Sequence, residues 1–140
     1  MALRTRFDED VLDVTTATNL YHYIRDNTEW EDGVRSRKGF TRKAKALDIT
    51  DDDIIMTYVI HALEKLAPQT KSCGSYILDG IYLNYYEDGE MYTPNHSHPK
   101  QHQLVISLGA TRTLIVGKKP YAMTHGNAIR FGSSVHGVSK

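Results

Sequence analysis

Shortages say the most about this sequence at first: one cysteine, one tryptophan, no excess of either charge and no long apolar run. A lone cysteine, Cys73, rules out an internal disulfide and fits a reducing compartment. No stretch approaches the roughly 20 apolar residues that crossing a bilayer requires. From Arg4 onward the N-terminus alternates charged and apolar residues, unlike the apolar block of a signal peptide. The expectation is a soluble protein of the cytoplasm or another reducing intracellular compartment, with no membrane partner. Seventeen basic and seventeen acidic residues give a formal net charge of +0. No global field then draws the chain to nucleic acid, so any such attraction has to come from a local patch. There is no internal repeat and no low-complexity segment. A chain of 140 residues is read as a single domain, 1–140, large enough for an ordinary core.

Histidine and tyrosine are plentiful instead, seven and nine of each, and most of the histidines lie in the second half. Two of them, His96 and His98, are spaced i, i+2 in Asn95-His96-Ser97-His98-Pro99. On an extended strand that spacing puts both imidazoles on one face. A third, His136, follows forty residues later, after a run of strand-like segments with glycine turns. If that run folds back on itself, His96, His98 and His136 can hold one divalent metal. Three protein ligands leave open positions on the ion, as a catalytic site requires. His102 is an accidental neighbour or a fourth ligand, and the competing reading makes all of these surface histidines.

The chain divides into a helical first half, 1–72, and a β-rich second half, 73–140. Thr16 or Thr18 caps a helix over about 18–27. Thr50 caps a second, with Asp53 completing the capping box and Pro68 ending it. Between them, residues 35–45 form a basic loop (Arg35, Arg37, Lys38, Arg42, Lys43, Lys45) without an acid, suited to a phosphate backbone or simply to solvent. From Ser75 the pattern turns strand-like: Tyr76-Ile77-Leu78, Ile81–Tyr86, Gln103–Leu108, Arg112–Val116, Tyr121–Met123, Ala128–Phe131 and Val135–Val138. Short strands with glycine turns at this spacing predict a small sandwich or barrel.

In order along the chain, Leu83-Asn84-Tyr85-Tyr86-Glu87-Asp88-Gly89, His96-Ser97-His98, Ser107-Leu108-Gly109-Ala110-Thr111-Arg112 and His136-Gly137-Val138 are similar to motifs of one family. The chain resembles the AlkB-like iron(II) and 2-oxoglutarate-dependent dioxygenases. The resemblance implies an α+β fold: a double-stranded β-helix (jelly roll) core with N-terminal helices packed on one side. It implies Fe(II) on His96, His98 and His136, 2-oxoglutarate as cosubstrate touching Asn84 and Tyr86, and hydroxylation or dealkylation of a nucleic-acid base. Trp30, Arg37, Phe40 and Arg42 fall in the family's substrate-side lid, where Trp30 or Phe40 would stack on a flipped base. Two departures stand out. His98 occupies the position of the family's aspartate. The family's 2-oxoglutarate-anchoring arginine follows the distal histidine by more than the four residues left here, so the final strand is expected to be missing or supplied by a second chain. Two rival readings are a cupin-type metal protein, whose first motif Gly89, His96, His98, His102 and Gly109 loosely trace, and a catalytically altered nucleic-acid-binding relic of the fold.

Overall fold

The computed structural model describes residues 5–32, 35–36, 39–40, 42–70, 78, 80–98 and 102–140, with backbone alone for 35–36, 39–40 and 67–70. Gly33, Arg37, Lys38, Cys73, the Tyr76-Ile77 run, Asp79 and Pro99 lie outside them.

The described residues are mixed α+β, with two helices and antiparallel sheets. Strand β1 is Arg6–Asp8, followed by helix α1, Val14–Asn27. Next come short strands β2 (Glu31–Asp32), β3 (Arg35–Ser36) and β4 (Gly39–Phe40), then β5, Lys43–Leu47. Helix α2 is Asp53–Thr70. The second half supplies β6 (Ile81–Tyr85), β7 (Thr93–His96), β8 (Gln103–Ile106), β9 (Arg112–Val116), β10 (Lys119–Met123), β11 (Ala128–Phe131) and β12 (His136–Val138).

Capping chemistry sets the helix starts one or more residues away from the sequence expectation. Asp13, rather than Thr16 or Thr18, caps α1: its carboxylate accepts the Thr16 backbone N–H at 2.8 Å. Asp52, rather than Thr50, caps α2. Its Oδ1 accepts the Ile55 N–H at 2.9 Å, and its Oδ2 accepts the Tyr23 hydroxyl of α1 at 3.0 Å. One carboxylate thus closes a helix end and ties the two helices together. Thr50 instead sits in a turn in which Asp51 N–H reaches the Asp48 carbonyl at 3.0 Å. Pro68 does not end α2, which continues to Thr70; proline removes its own donor but not those of the residues after it. The expected basic loop is also corrected. Residues 35–40 contain the β3–β4 pair, and Lys43-Ala44-Lys45-Ala46, alternating with period two, forms β5 between β2 and β6.

Among the described residues four antiparallel groups result: β1-β11-β8, β10-β9-β12-β7, β2-β5-β6 and the pair β3-β4. The arrangement is compatible with a β-sandwich. Strand β11 lies at its centre, buried along its whole length. Ile129 and Phe131 point to one side, into a core with Leu114, Val116 and Met123 from β9 and β10. Ala128 points to the other, into a core with Leu12, Ala17 and Leu20 of the α1 region and Ile55, Ala62 and Leu66 of α2. The period-two alternation of one strand therefore joins the two sheets on one face and the helices on the other. Each fully buried large side chain here contributes about 1.5–3 kcal/mol of transfer free energy.

A further fixed point lies where α1 meets the loops. Gly109 N–H donates to His125 Nδ1 at 2.8 Å, which leaves the His125 Nε2 proton for Thr18 Oγ1 at 3.1 Å. Both ring nitrogens of His125 are thus occupied in holding the fold.

Candidate metal centre

Strands β7 and β12 pair antiparallel with His96 opposite His136. The next pair is Val138 opposite Thr93, so two residues on β12 match three on β7. That extra residue is a β-bulge. Paired residues share a face, and His136 and Val138, two apart, share one as well. The bulge therefore turns His96, Thr93, His136 and Val138 to the same side. This is the inner side: Val138 packs on the core between the sheets, and the His136 ring lies 4.7 Å from that of fully buried Phe131. His98 lies two residues past the end of β7, and its ring is 4.8 Å from His96 and 5.4 Å from His136. Strand pairing and the irregular segment just past β7, rather than i, i+2 spacing within one strand, bring the three together.

The donor atoms of His96, His98 and His136 all lie within 4.8 Å of one another. Around a tetrahedral divalent ion with metal–nitrogen bonds of about 2.0–2.1 Å, nitrogens sit about 3.4 Å apart, so a shift of roughly 1 Å closes the set. His96 Nδ1 lies 2.8 Å from the Pro94 carbonyl, and His136 Nδ1 lies 2.9 Å from the Ser134 carbonyl. A carbonyl only accepts, so in both rings the proton is on Nδ1 and the Nε2 lone pair is free. Outer hydrogen bonds of this kind fix the tautomer and orientation that a metal needs. His102, exposed before β8, is not part of the group. These three histidines can bind a metal ion.

Burial pushes the His136 imidazole below the ordinary histidine range; the Ser134 carbonyl acts the other way, and His96 and His98 add to the lowering. A depressed histidine pKa means that the unfolded chain takes up its proton first as pH falls. The metal-free protein should therefore hold this contribution above about pH 6.5 and lose it progressively below that value. Thermal unfolding of the metal-free chain at pH 7.5 and 5.5 should show the loss, and His136→Gln should flatten the difference. An equal pH dependence in the variant would assign it to other groups.

The other expected site residues fall into two places. Arg42, 7% exposed, donates from Nε to Asn84 Oδ1 at 2.6 Å. Tyr86 Oη is 2.6 Å from Thr93 Oγ1, and the Arg112 guanidinium lies over the Tyr86 ring at 4.6 Å. Arg112 also donates to the carbonyls of Asp88 at 3.0 Å, of Ser139 at 3.2 Å and of Met91. Burial pushes the Tyr86 phenol up, while its bond to Thr93 and the charges of Arg42 and Arg112 act the other way. Because Thr93 shares the face of His96, this polar cluster adjoins the triad. Trp30 does not. It stacks on Tyr85 at 5.1 Å, and Tyr85 alternates with Asn84, on the face of β6 that carries Ile81 and Leu83 toward the helices. Arg37 and the Phe40 side chain lie outside the described residues. Of the basic run, Lys43 pairs with Glu87 at 2.7 Å and Lys45 with Glu31 at 2.9 Å. Sequence reasoning did not find Thr93 or the pairing of Arg42 with Asn84. Their signal lies in the strand register, with Ala44 opposite Asn84.

No family model and no curated protein sequence matches this chain.

Proposed function

We propose that the chain is an iron(II) and 2-oxoglutarate-dependent oxygenase of the AlkB-like kind, acting on a nucleic-acid base. The observation that carries this reading is the three-histidine group with the Nδ1 protons of His96 and His136 held by backbone carbonyls. Strand order supports the jelly roll that such enzymes use. From β7 to β12, successive strands run β7 in one sheet, β8 in the other, β9 and β10 in the first, β11 in the other and β12 in the first. That is the alternation expected of a rolled-up hairpin.

His96, His98 and His136 would hold the iron. With 2-oxoglutarate and oxygen, iron(II) supplies hydroxylation of a substrate C–H bond, which at an alkylated base frees the alkyl group as an aldehyde. Three neutral imidazoles cancel none of the ion's charge, so the site attracts an anionic ligand more strongly than one holding a carboxylate. Phe131 beneath His136 keeps water from that side of the ring. Asn84 and Tyr86 would hold the cosubstrate, a role supported by the bond of Tyr86 to Thr93, which shares the face of His96. Lys43 and Lys45 are already paired to acids, so they contribute less to contact with a phosphate backbone.

The all-histidine ligand set favours a second reading, a cupin-type metal protein that does not use 2-oxoglutarate. Iron-loaded protein with ascorbate, given single-stranded DNA or RNA carrying N-methylated bases, should turn 2-oxoglutarate into succinate and release formaldehyde. Stoichiometric iron without succinate would remove the oxygenase reading and leave the cupin one. Protein that binds no metal would favour the nucleic-acid-binding relic.

A further inference from the structure

The metal centre is carried by two strands whose mutual pairing is short. Among the described residues β7 pairs with β12 at two positions, His96 with His136 and Thr93 with Val138, with the bulge between them. In the described sheet β7 is also the outer strand, whereas β12 has β9 on its other side in three consecutive pairs. So short and irregular a ladder resists a slip in register poorly, and a slip would carry His96 past His136. A guanidinium sits at the other end of this ladder. Arg112 opens β9. It donates from Nη1 to the Asp88 carbonyl at 3.0 Å, and from Nη2 to the carbonyls of Met91 and, at 3.2 Å, Ser139. Asp88 and Met91 lie in the segment that leads into β7, and Ser139 is the residue after β12. The guanidinium also lies over the Tyr86 ring at 4.6 Å, and the Tyr86 hydroxyl meets Thr93 Oγ1 of β7 at 2.6 Å. One planar group with donors in fixed directions thus holds the approach to β7 and the exit of β12 together. Lys140 ties the same two segments through Glu90 at 3.9 Å, but both side chains are exposed and such a pair contributes little.

We infer that Arg112 is a positioning residue for the metal centre: from β9 it fixes the register of β7 against β12, and with it the separation of His96 from His136. The inference rests on the triad holding a metal, and not on the oxygenase reading or on any cosubstrate. Its effect passes along β7 from Thr93 to His96 and along β12 from Ser139 to His136, each about 10 Å of extended chain. Arg112 joins the two strands at one end and the His96–His136 pair joins them at the other. Strands joined at both ends neither slide nor splay, so the imidazoles keep the spacing that one ion requires. The coupling is reciprocal: a metal that draws His96 and His136 together also tightens the bonds of Arg112, by the same factor.

Cobalt(II) reads affinity, by chelator competition, and ligand geometry, by its visible absorption. Arg112→Met keeps a side chain of similar length over Tyr86 and removes the donors. It should weaken cobalt by about tenfold and change the spectrum of the bound ion. Arg112→Lys, with one ammonium in place of the fork, should fall between. Tyr23→Phe is the control for stability alone. It removes the bond from α1 to Asp52, in the core between the helices, and should lower the melting temperature with cobalt affinity and spectrum unchanged. The unmodified protein supplies an arm that stands even where a variant does not fold. In it, zinc should slow the exchange of the Arg112 guanidinium protons with solvent by about tenfold, the reciprocal of the effect of Arg112 on the metal. Equal exchange with and without zinc would overturn the inference. So would Arg112 variants that melt earlier yet bind cobalt with the affinity and spectrum of the parent, which would make Arg112 a stabilising contact only and leave the metal reading intact. Absence of cobalt and zinc binding in the unmodified protein overturns the metal reading itself, and the inference with it.

Discussion

His136→Ala should weaken divalent-metal binding by more than about 100-fold, a larger loss than that from disturbing an outer hydrogen-bond partner. Three features of this position set the size. Among the described residues His136 is one of three histidines grouped to hold an ion, so its loss leaves two imidazoles that a mobile surface pair could equally provide. It is buried, at 7% exposed, so water does not readily replace it as a ligand held in place. Its Nδ1 is tied to the Ser134 carbonyl and its ring lies on Phe131, so the free Nε2 is already oriented. Preorganisation of this kind is lost together with the ligand. His102→Ala is the matched control, being a histidine of the same half outside the group, and it should leave affinity unchanged. Competition with a chromogenic chelator, measured for zinc and cobalt, reads the difference. A variant that binds as tightly as the parent would place the metal elsewhere, and a cobalt spectrum unchanged by the substitution would do the same.

How much of this could be read from the sequence differs by element, for physical reasons. Strands β9 and β11 were legible to the residue, because Arg112–Val116 and Ala128–Phe131 are β-rich runs closed by glycines or turn residues at both ends. The helix bodies were legible from their apolar period, but not their starts. Several oxygen-bearing side chains compete near each start, and only geometry decides that Asp13 and Asp52 reach the free N–H groups. The three histidines were legible as a set, although the reason given for the first two was incomplete. The i, i+2 rule places His96 and His98 together only if the strand continues, and β7 stops at His96. What brings the set together is the pairing of His96 with His136, and a register between strands forty residues apart leaves no local mark. The basic run shows the same limit. Its charges are adjacent in sequence, but Glu87 and Glu31, which neutralise Lys43 and Lys45, arrive from other strands. Arg42 looked like one more member of that run, and only the fold turns it inward onto Asn84.

Gly137→Ala should lower metal affinity by about tenfold or more and cost about 1–3 kcal/mol of stability, without removing a ligand. Gly137 sits between His136 and Val138, at the point where β12 faces the extra residue of β7. A Cβ added there would clash with Asn95 Oδ1 and lie 2.8 Å from the Thr93 carbonyl and 3.1 Å from Asn95 N. The first contact can be relieved by turning the Asn95 side chain; the other two are backbone and belong to the bulge. The alanine therefore has to push β12 away from β7 or flatten the bulge. Either movement acts on the triad. Separating the strands pulls His136 from His96, and flattening the bulge rotates Thr93 off the face that the two histidines share. Asn95→Ala distinguishes these contacts. Combined with Gly137→Ala it removes the side-chain clash, so a double variant that recovers full affinity would show that Asn95 alone was the obstacle. The geometry gives a different expectation: the double variant stays weak, because the Thr93 carbonyl and the Asn95 backbone nitrogen remain. The measurement is again chelator competition, with thermal unfolding of the metal-free chain recorded beside it. A fall in melting temperature with unchanged metal affinity would mean that the triad does not depend on the register of β7 against β12, contrary to the origin argued for its geometry.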